Sequence, residues 1–333
     1  MRPRVLVLLP VIAAAIAFAP PAAAQLPGTP TTPKPKPKPK PKGGRMSIKL
    51  SGGMATRRLR YVIRGQRVKV VGRLRPFVAG QLVTVLVVRK GKVSQRKRAR
   101  VRGAGKGRGG FVVHFIARRR GLLRVKAVHR ATAAQARFHS RSVRVKSVIW
   151  RAGTGAGGTR VLLLQRGLRS LGYAVNVSGF YNDATSRAVL AYRKVQGWAR
   201  TGYAGPEVYG KVFRGRGRFK LKYPRAGRHV EFDWSRQVLV LADNGRAYRV
   251  FHASSGKPST PTVFGTYHFY SKTPGTNSEG MVDANYFIRG YAIHGYASVP
   301  PYAASHGCIR VPIPNAAFIY SWIPLGMTIF VYV

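Results

Sequence analysis

The chain carries no carboxylate side chain before Asp183, although it is 333 residues long and holds 60 lysines and arginines. All seven of its acids lie at or beyond that position. A first half built this way cannot be laced together by salt bridges. It must fold on apolar burial and backbone pairing, and its surface repels itself and attracts polyanions. The formal net charge is +53, yet 45% of residues are hydrophobic and 11% aromatic, enough to fill real cores. Wholesale disorder is excluded. At about 100–200 residues per domain, the length predicts two or three domains.

The N-terminus reads as an export signal over residues 1–24. Arg2 and Arg4 precede an apolar run from Val5 to Ala19, followed by Pro20-Pro21-Ala22-Ala23-Ala24, with cleavage expected before Gln25. The run of about 15 residues falls short of the ~20 that span a bilayer, although an uncleaved anchor is the alternative. A secreted, cell-envelope location is therefore expected. Residues 25–44 include five Pro-Lys dipeptides from Pro33 to Lys42. Proline favours the extended form and the lysines repel, giving a spacer of ~31 Å at about 3.1 Å per residue. It is either a plain tether or one that also adheres to anionic wall polymer or lipid headgroups.

Residues 45–150 alternate apolar and polar. Val68/Val70, Val83/Val85/Val87, Phe111/Val113/Phe115 and Val143/Val145 each mark one buried strand face, with glycine and basic turns between them. Short strands over about 100 residues suggest an immunoglobulin-like β-sandwich without paired cysteines. His114, His129 and His139 have no acid or cysteine nearby and read as ordinary surface or core residues.

Residues 151–215 change period. Gly-rich 153–158 read as a linker, after which Val161, Leu164, Leu168 and Leu171 recur at helical spacing up to Gly172. Asp183 is expected to cap a second helix, and Gly205-Pro206-Glu207 to open a third. The resulting three-helix bundle, with Leu164-Gln165, Leu171-Gly172-Tyr173, Gly179-Phe180, Thr185 and Gln196-Gly197, resembles the peptidoglycan-binding module of wall enzymes.

Residues 216–333 return to strand period, with Asp243-Asn244-Gly245 as a hairpin signal. Within them lie Ile293-His294-Gly295 and Ser305-His306-Gly307-Cys308-Ile309-Arg310. Cys308 is the only cysteine of the chain, so no intrachain disulfide can form. An exported lone thiol is either buried and inert or kept for its reactivity. A free thiol near pKa 8.5 is only about 3% thiolate at pH 7, and an adjacent imidazole can take its proton. Two histidines, His294 and His306, are within reach, and the residues alone do not rank them. In an extended segment His306 and Cys308 share one face. Zinc held by His294, His306 and Cys308 is a competing reading that needs a fourth ligand.

Together with Gln237-Val238-Leu239-Val240, Ser255-Gly256, Thr260-Pro261, Gly265-Thr266-Tyr267 and Tyr286-Phe287, these strings resemble the L,D-transpeptidase (YkuD-like) catalytic domain. The resemblance implies a mostly β catalytic domain, so the whole chain is expected to be multidomain and mainly β. It implies Cys308 as nucleophile and His294 as base, with a carbonyl near Gly295 orienting the imidazole. His306 and Gly307 would shape the oxyanion site. Gly307 would also leave room for substrate by lacking Cβ. Arg310 suits a substrate carboxylate, and Ser305 and Gly295 are placed with it as substrate-binding positions. Two departures from the family pattern are a short interval between His294 and Ser305 and Asn315 where an aspartate is common.

The implied reaction is peptidoglycan 3→3 cross-linking through a Cys308 thioester, with release of D-alanine and without metal or organic cofactor. Carbapenem-type β-lactams are implied to acylate the same thiol. An L,D-carboxypeptidase using the same thiol and a non-catalytic wall-binding protein are the alternatives. Expected partners are stem peptides and glycan, with anionic wall polymers or the membrane surface drawn by charge. Export and the lack of base-stacking motifs argue against nucleic acid.

Overall fold

The computed structural model describes residues 14–15 and 41–333. The expected export signal and most of the Pro-Lys spacer lie outside the described residues.

Residues 45–148 form two sheets over one apolar core. The four-stranded sheet runs Arg45–Ser51, Arg67–Arg75, Gly109–Ile116, Arg102–Gly103 in spatial order. The opposing seven-stranded sheet has Met54–Ala55 and Lys92–Arg100 at its edges, and Val143–Val148 pairs in parallel with Arg60–Ile63. Alternation dictates the faces: Val68, Val70 and Leu74 are buried, while Arg67, Lys69, Arg73 and Arg75 of the same strand are exposed. Gly72 pairs with Phe111, whose ring lies only 2.0 Å from where a Cβ would stand, so the aromatic fills that gap. This is a two-sheet sandwich; its immunoglobulin-like topology stays an expectation.

Three helices follow: α1 (Thr159–Ser170), α2 (Asp183–Val195) and α3 (Pro206–Val212). Helix α1 buries Val161, Leu164 and Leu168 and ends before Gly172, which turns the chain at φ +97°. The cap of α2 is Asn182, whose side chain accepts from Thr185 N at 3.1 Å. Asp183, expected as the cap, is the first helical residue and supplies charge to the helix dipole instead. Gln165 is fully buried and ties the module together, donating to Phe180 O and Thr185 Oγ1, both at 2.9 Å, and accepting from Gly179 N at 2.8 Å.

The glycine-rich stretch before α1 is not a free linker. Ala152 bridges Ala204, Gly157 bridges Phe180, and Gly155 N donates to Tyr181 O at 2.9 Å. The helical core is also continuous with its neighbours, taking in Ile63 and Val148 from the sandwich and Val238, Val240 and Val250 from the last domain. Gly155 and Gly158 both take φ of +82°, so they serve fixed turns rather than mobility.

The last domain has a five-stranded sheet, ordered Arg246–His252, Val238–Asp243, His229–Asp233, Thr328–Tyr332, Gly265–His268, and a four-stranded sheet. The latter runs Ser271–Thr276, Val282–Ile288, Tyr291–Tyr296, Ile309–Pro312, and α4 (Ile313–Trp322) packs on it. Asn244 and Gly245 turn the hairpin at φ 48° and 69°. Between the sheets lies one core of Phe232, Leu239, Phe269, Ile293, Ile309 and Val311 among others. Buried Glu231 accepts from the backbone of Lys222 and Tyr223 and from Tyr332 Oη at 3.0, 2.8 and 2.6 Å. These hydrogen bonds hold its carboxyl below the usual range against the opposing effect of burial.

Candidate active site

His294 and Cys308 meet because two strands run parallel. Tyr291–Tyr296 pairs with Ile309–Pro312 in the register Ile293↔Ile309 and His294↔Arg310. Residues facing one another across such a pair point to the same side, and side chains alternate along each strand. Ile293, Ile309 and Val311 therefore enter the core, all fully buried. His294, Arg310 and, one step before the strand, Cys308 share the opposite face. Two strings eleven residues apart in sequence thus become one surface.

His294 is buried, and its Nδ1 lies 3.0 Å from Gly295 O. A carbonyl only accepts, so in the neutral ring Nδ1 carries the proton and Nε2 keeps its lone pair. Burial lowers the pKa of this imidazole, and the Arg310 cation pushes it the same way, against the Gly295 carbonyl. The ring also meets Tyr296 edge-on, centroids 5.7 Å apart. Gly295 lies against α4: a Cβ there would be 2.7 Å from Ala316 Cβ. Its contribution is the carbonyl and the close approach of the helix.

Cys308 is half-buried. Its Sγ accepts from Ala292 N at 3.4 Å and faces Gly290 O at 3.6 Å. Burial raises the thiol pKa, partly offset by the Ala292 N–H and the Arg310 cation. Thiol and imidazole are thus both pushed toward their neutral forms. No hydrogen bond joins Cys308 to His294 among the described residues; apo catalytic contacts are often long and close only on the substrate.

The loop before Cys308 is fixed by bonds that sequence reading assigned otherwise. Ser305 is 1% exposed; its Oγ donates to Cys308 O at 2.6 Å and accepts from Gly307 N at 3.1 Å. These bonds shape the loop around the nucleophile. The Gly307 N–H is spent on its bond to Ser305 Oγ. The backbone itself requires glycine at 307: its φ is +126°, and a Cβ would sit 2.0 Å from the Tyr291 ring. His306 is exposed and makes no hydrogen bond to Cys308, because the turn at Gly307 breaks the extended geometry that would align them. Arg310 lies with its guanidinium 4.0 Å from the Tyr296 ring centroid and has no carboxylate partner among the described residues. It is free to meet an anionic substrate group.

Other residues at the site were missed as such. Thr262 Oγ1 donates to Gly307 O at 2.6 Å and accepts from Gly256 N at 2.9 Å, and Thr260 Oγ1 donates to Ser305 O at 3.0 Å. The Thr260-Pro261 string was visible, but the bonding of its threonine and of Thr262 to a loop 45 residues away was not. The segment Val299–Tyr302 is held by His252 Nε2 on Val299 O, Arg200 on Pro301 O and Ser254 Oγ on Tyr302 O, at 2.8, 2.9 and 2.6 Å. Arg200 belongs to the helical module, so that module touches the segment leading into the nucleophile loop.

Residues 227–331 match the family model of the L,D-transpeptidase catalytic domain, and residues 157–212 match that of a peptidoglycan binding domain. A crystal structure of the L,D-transpeptidase (residues 123–326) from Xylanimonas cellulosilytica DSM 15894 is 32% identical, with a TM-score of 0.52. The match covers 56% of this chain and 98% of that one. L,D-transpeptidase 1 of Mycobacterium tuberculosis, from strains H37Rv and CDC 1551, is 32% identical over 118 residues, 28% of this chain. The match spans 45% of those curated relatives' length. With His294 and Cys308 on one face of a parallel strand pair, and a relative matched over nearly its whole length, this chain belongs to the L,D-transpeptidase family.

Proposed function

We propose that the protein is an exported cell-wall transpeptidase that forms 3→3 peptidoglycan cross-links, with Cys308 as nucleophile and His294 as base. The observation that carries this reading is the parallel register that sets both residues on one face, with His294 Nδ1 committed to Gly295 O and Nε2 left to accept. Such general-base assistance is commonly worth about 10²–10⁴ in rate.

The first half-reaction acylates the thiol. The Sγ proton passes to His294 Nε2 as sulfur attacks the carbonyl joining the third residue of a tetrapeptide stem to its terminal D-alanine. The tetrahedral adduct collapses, the imidazolium returns the proton to the departing amine, and D-alanine leaves a thioester behind. In the second half-reaction the side-chain amine of a neighbouring stem's third residue attacks that thioester and gives its proton to His294. Sulfur departs and recovers the proton. Arg310, unpaired and stacked on Tyr296, is placed to hold a stem carboxylate.

Export follows from Arg2, Arg4 and the apolar run to Ala19. The net charge of +53 then retains the enzyme on an anionic wall. Retention on isolated walls should fall steeply with salt, as screening shortens to about 8 Å at physiological ionic strength. Turnover of a soluble muropeptide should change little over the same range.

Mass spectrometry of residues 25–333 incubated with disaccharide-tetrapeptide tests the reaction, beside Cys308→Ala. A dimer one alanine short, absent with the variant, is the expected result. Tripeptide monomer alone would establish hydrolysis in its place. No conversion, with a thiol that iodoacetamide does not touch, would leave a non-catalytic wall binder.

A further inference from the structure

The outer face of the four-stranded sheet in the sandwich carries a groove of about 1200 Å³. Seven arginines line it, with no lysine and no carboxylate. The selection is notable because lysines are present elsewhere on the sandwich, among them Lys49 and Lys69 on two of the same strands. Arginine differs from lysine in presenting a planar fork of donors that grips two oxygens of a phosphate at once.

The register shows how the groove is laid out. Arg73 lies opposite Gly110, and Arg102 lies opposite Gly110 on its other side. One cross-strand row therefore reads arginine, glycine, arginine. A Cβ at Gly110 would meet nothing closer than 3.8 Å, so the missing side chain leaves an open floor between two guanidinium groups. Arg45 faces Arg75 across the neighbouring pair, and Arg98 and Arg100 form a wall from the edge strand of the other sheet. Like charges directly opposite destabilise a sheet, and no acid exists in this half of the chain to relieve them. Among the described residues none of the seven guanidiniums makes a hydrogen bond or an ion pair, whereas Arg60 and Arg89 of the same domain donate to carbonyls. The groove holds its donors unspent.

We propose that this groove binds a linear phosphodiester polymer of the cell envelope, a polyol-phosphate chain read phosphate by phosphate. Arg73 and Arg75, two residues apart on one strand, project at about 6.7 Å spacing, a repeat that suits successive phosphates of an extended chain. The lining offers no stacking platform for bases, since its single aromatic, Phe111, is 4% exposed. The arginines also surround a concavity, which a strand can enter and a flat lipid surface cannot. The inference sharpens the proposed wall retention to one site, and it does not depend on Cys308 chemistry.

Titration of the full mature chain, residues 25–333, with a fluorescent poly(glycerol phosphate) tests it. The groove variant is Arg73→Gln, Arg75→Gln, Arg100→Gln and Arg102→Gln together. A control removes the same charge from exposed positions outside the groove: Arg118→Gln, Arg119→Gln, Arg120→Gln and Arg137→Gln. The groove variant should bind at least about thirtyfold more weakly at low salt, with a shallower dependence of log K on log salt. The control should lose less than about threefold. Circular dichroism and muropeptide turnover should be unchanged in both, which separates failure of this site from failure of the transpeptidase reading. Equal losses in the two variants overturn the proposal in favour of delocalised charge. A homopolymeric single-stranded oligonucleotide, or a vesicle of anionic lipid, bound as tightly as the polyol phosphate would overturn the assigned ligand.

Discussion

Lys194 of α2 places its Nζ 2.7 Å from Nδ1 of His252 on the catalytic sheet, in an environment closed to solvent. The same Nζ donates to Gln237 O and Ala253 O, both at 3.0 Å. The Val299 carbonyl only accepts, so His252 Nε2 carries the proton given to it and Nδ1 accepts from Lys194. Arg200, just beyond α2, adds bonds of 2.9 Å to Pro301 O and Ser235 O. The helical module and the catalytic loop are therefore one mechanical unit.

Lys194→Met should loosen that unit. It leaves two carbonyls and a ring nitrogen buried without a donor, and each such group costs about 1–3 kcal/mol. Thermal unfolding should begin at least about 5 °C lower. Amide exchange at residues 299–304 should quicken in the folded state. An unchanged melting curve and unchanged exchange would show that the buried lysine holds nothing.

Acid should weaken the same junction. Burial and the Lys194 charge hold the His252 pKa well below the ordinary value, so the unfolded chain takes up the proton first. Its contribution is complete above about pH 6.5 and is lost as pH falls toward the folded value, at up to about 1.4 kcal/mol per pH unit. Lys194, lowered by burial and by Arg200, acts in the same direction, with stability rising toward higher pH. Urea unfolding at pH 7.5 and pH 5 should show a smaller difference for His252→Gln than for the parent. The same difference in both would acquit His252.

Gly307→Ala should abolish turnover. The added Cβ meets the Tyr291 ring, and φ of +126° is a conformation that L side chains rarely adopt. Such strain costs on the order of 1–3 kcal/mol before the clash is counted. Adding Tyr291→Ala removes the collision and not the dihedral strain, so activity should return only in part. Full recovery would mean that only the ring matters.

Ser305→Ala separates loop positioning from substrate binding. Its hydroxyl bonds the backbone on both sides of the nucleophile and is buried. We expect kcat to fall about 10–100-fold, in line with about 1–3 kcal/mol for lost buried bonds, while KM for a muropeptide stays within twofold. A rise in KM at constant kcat would restore Ser305 as a substrate contact.

Iodoacetamide should titrate Cys308 as a shielded thiol. Burial raises its pKa, and the Arg310 cation opposes that rise. The midpoint of the alkylation rate should therefore lie above that of free cysteine, near 8.5. Arg310→Ala should move it further up. A downward shift would show that another charge governs the thiol.

Much was legible in order along the chain. Period-two runs such as Val68/Val70 and Phe111/Val113/Phe115 became strands with those faces inward, because alternation is a local property of the backbone. The helical spacing of Val161, Leu164 and Leu168, and the turn at Asn244-Gly245, were read for the same reason. Less local features misled. Asn182 rather than Asp183 caps α2, since a one-residue shift in helix start lies below what spacing resolves. The glycines at 153–158 read as a linker, yet the stretch is turned at Gly155 and Gly158 and bonded to the backbone of Tyr181 and Phe180. Composition does not distinguish flexibility from a fixed turn.

The same division holds at the site. The residues alone determined that Cys308 is the lone thiol, that two histidines stand near it, and that the sandwich has no acid with which to neutralise its arginines. Which histidine shares a face with the sulfur depended on a parallel register between strands. Whether Ser305 faces substrate or its own loop depended on hydrogen bonds closed in three dimensions. The coupling of Lys194 to His252 joins positions 58 residues apart. Short-range order is written in the sequence because each residue's backbone preference and polarity act locally. Partnership between distant groups is decided only when burial removes water and leaves each donor to find the acceptor that the fold sets beside it.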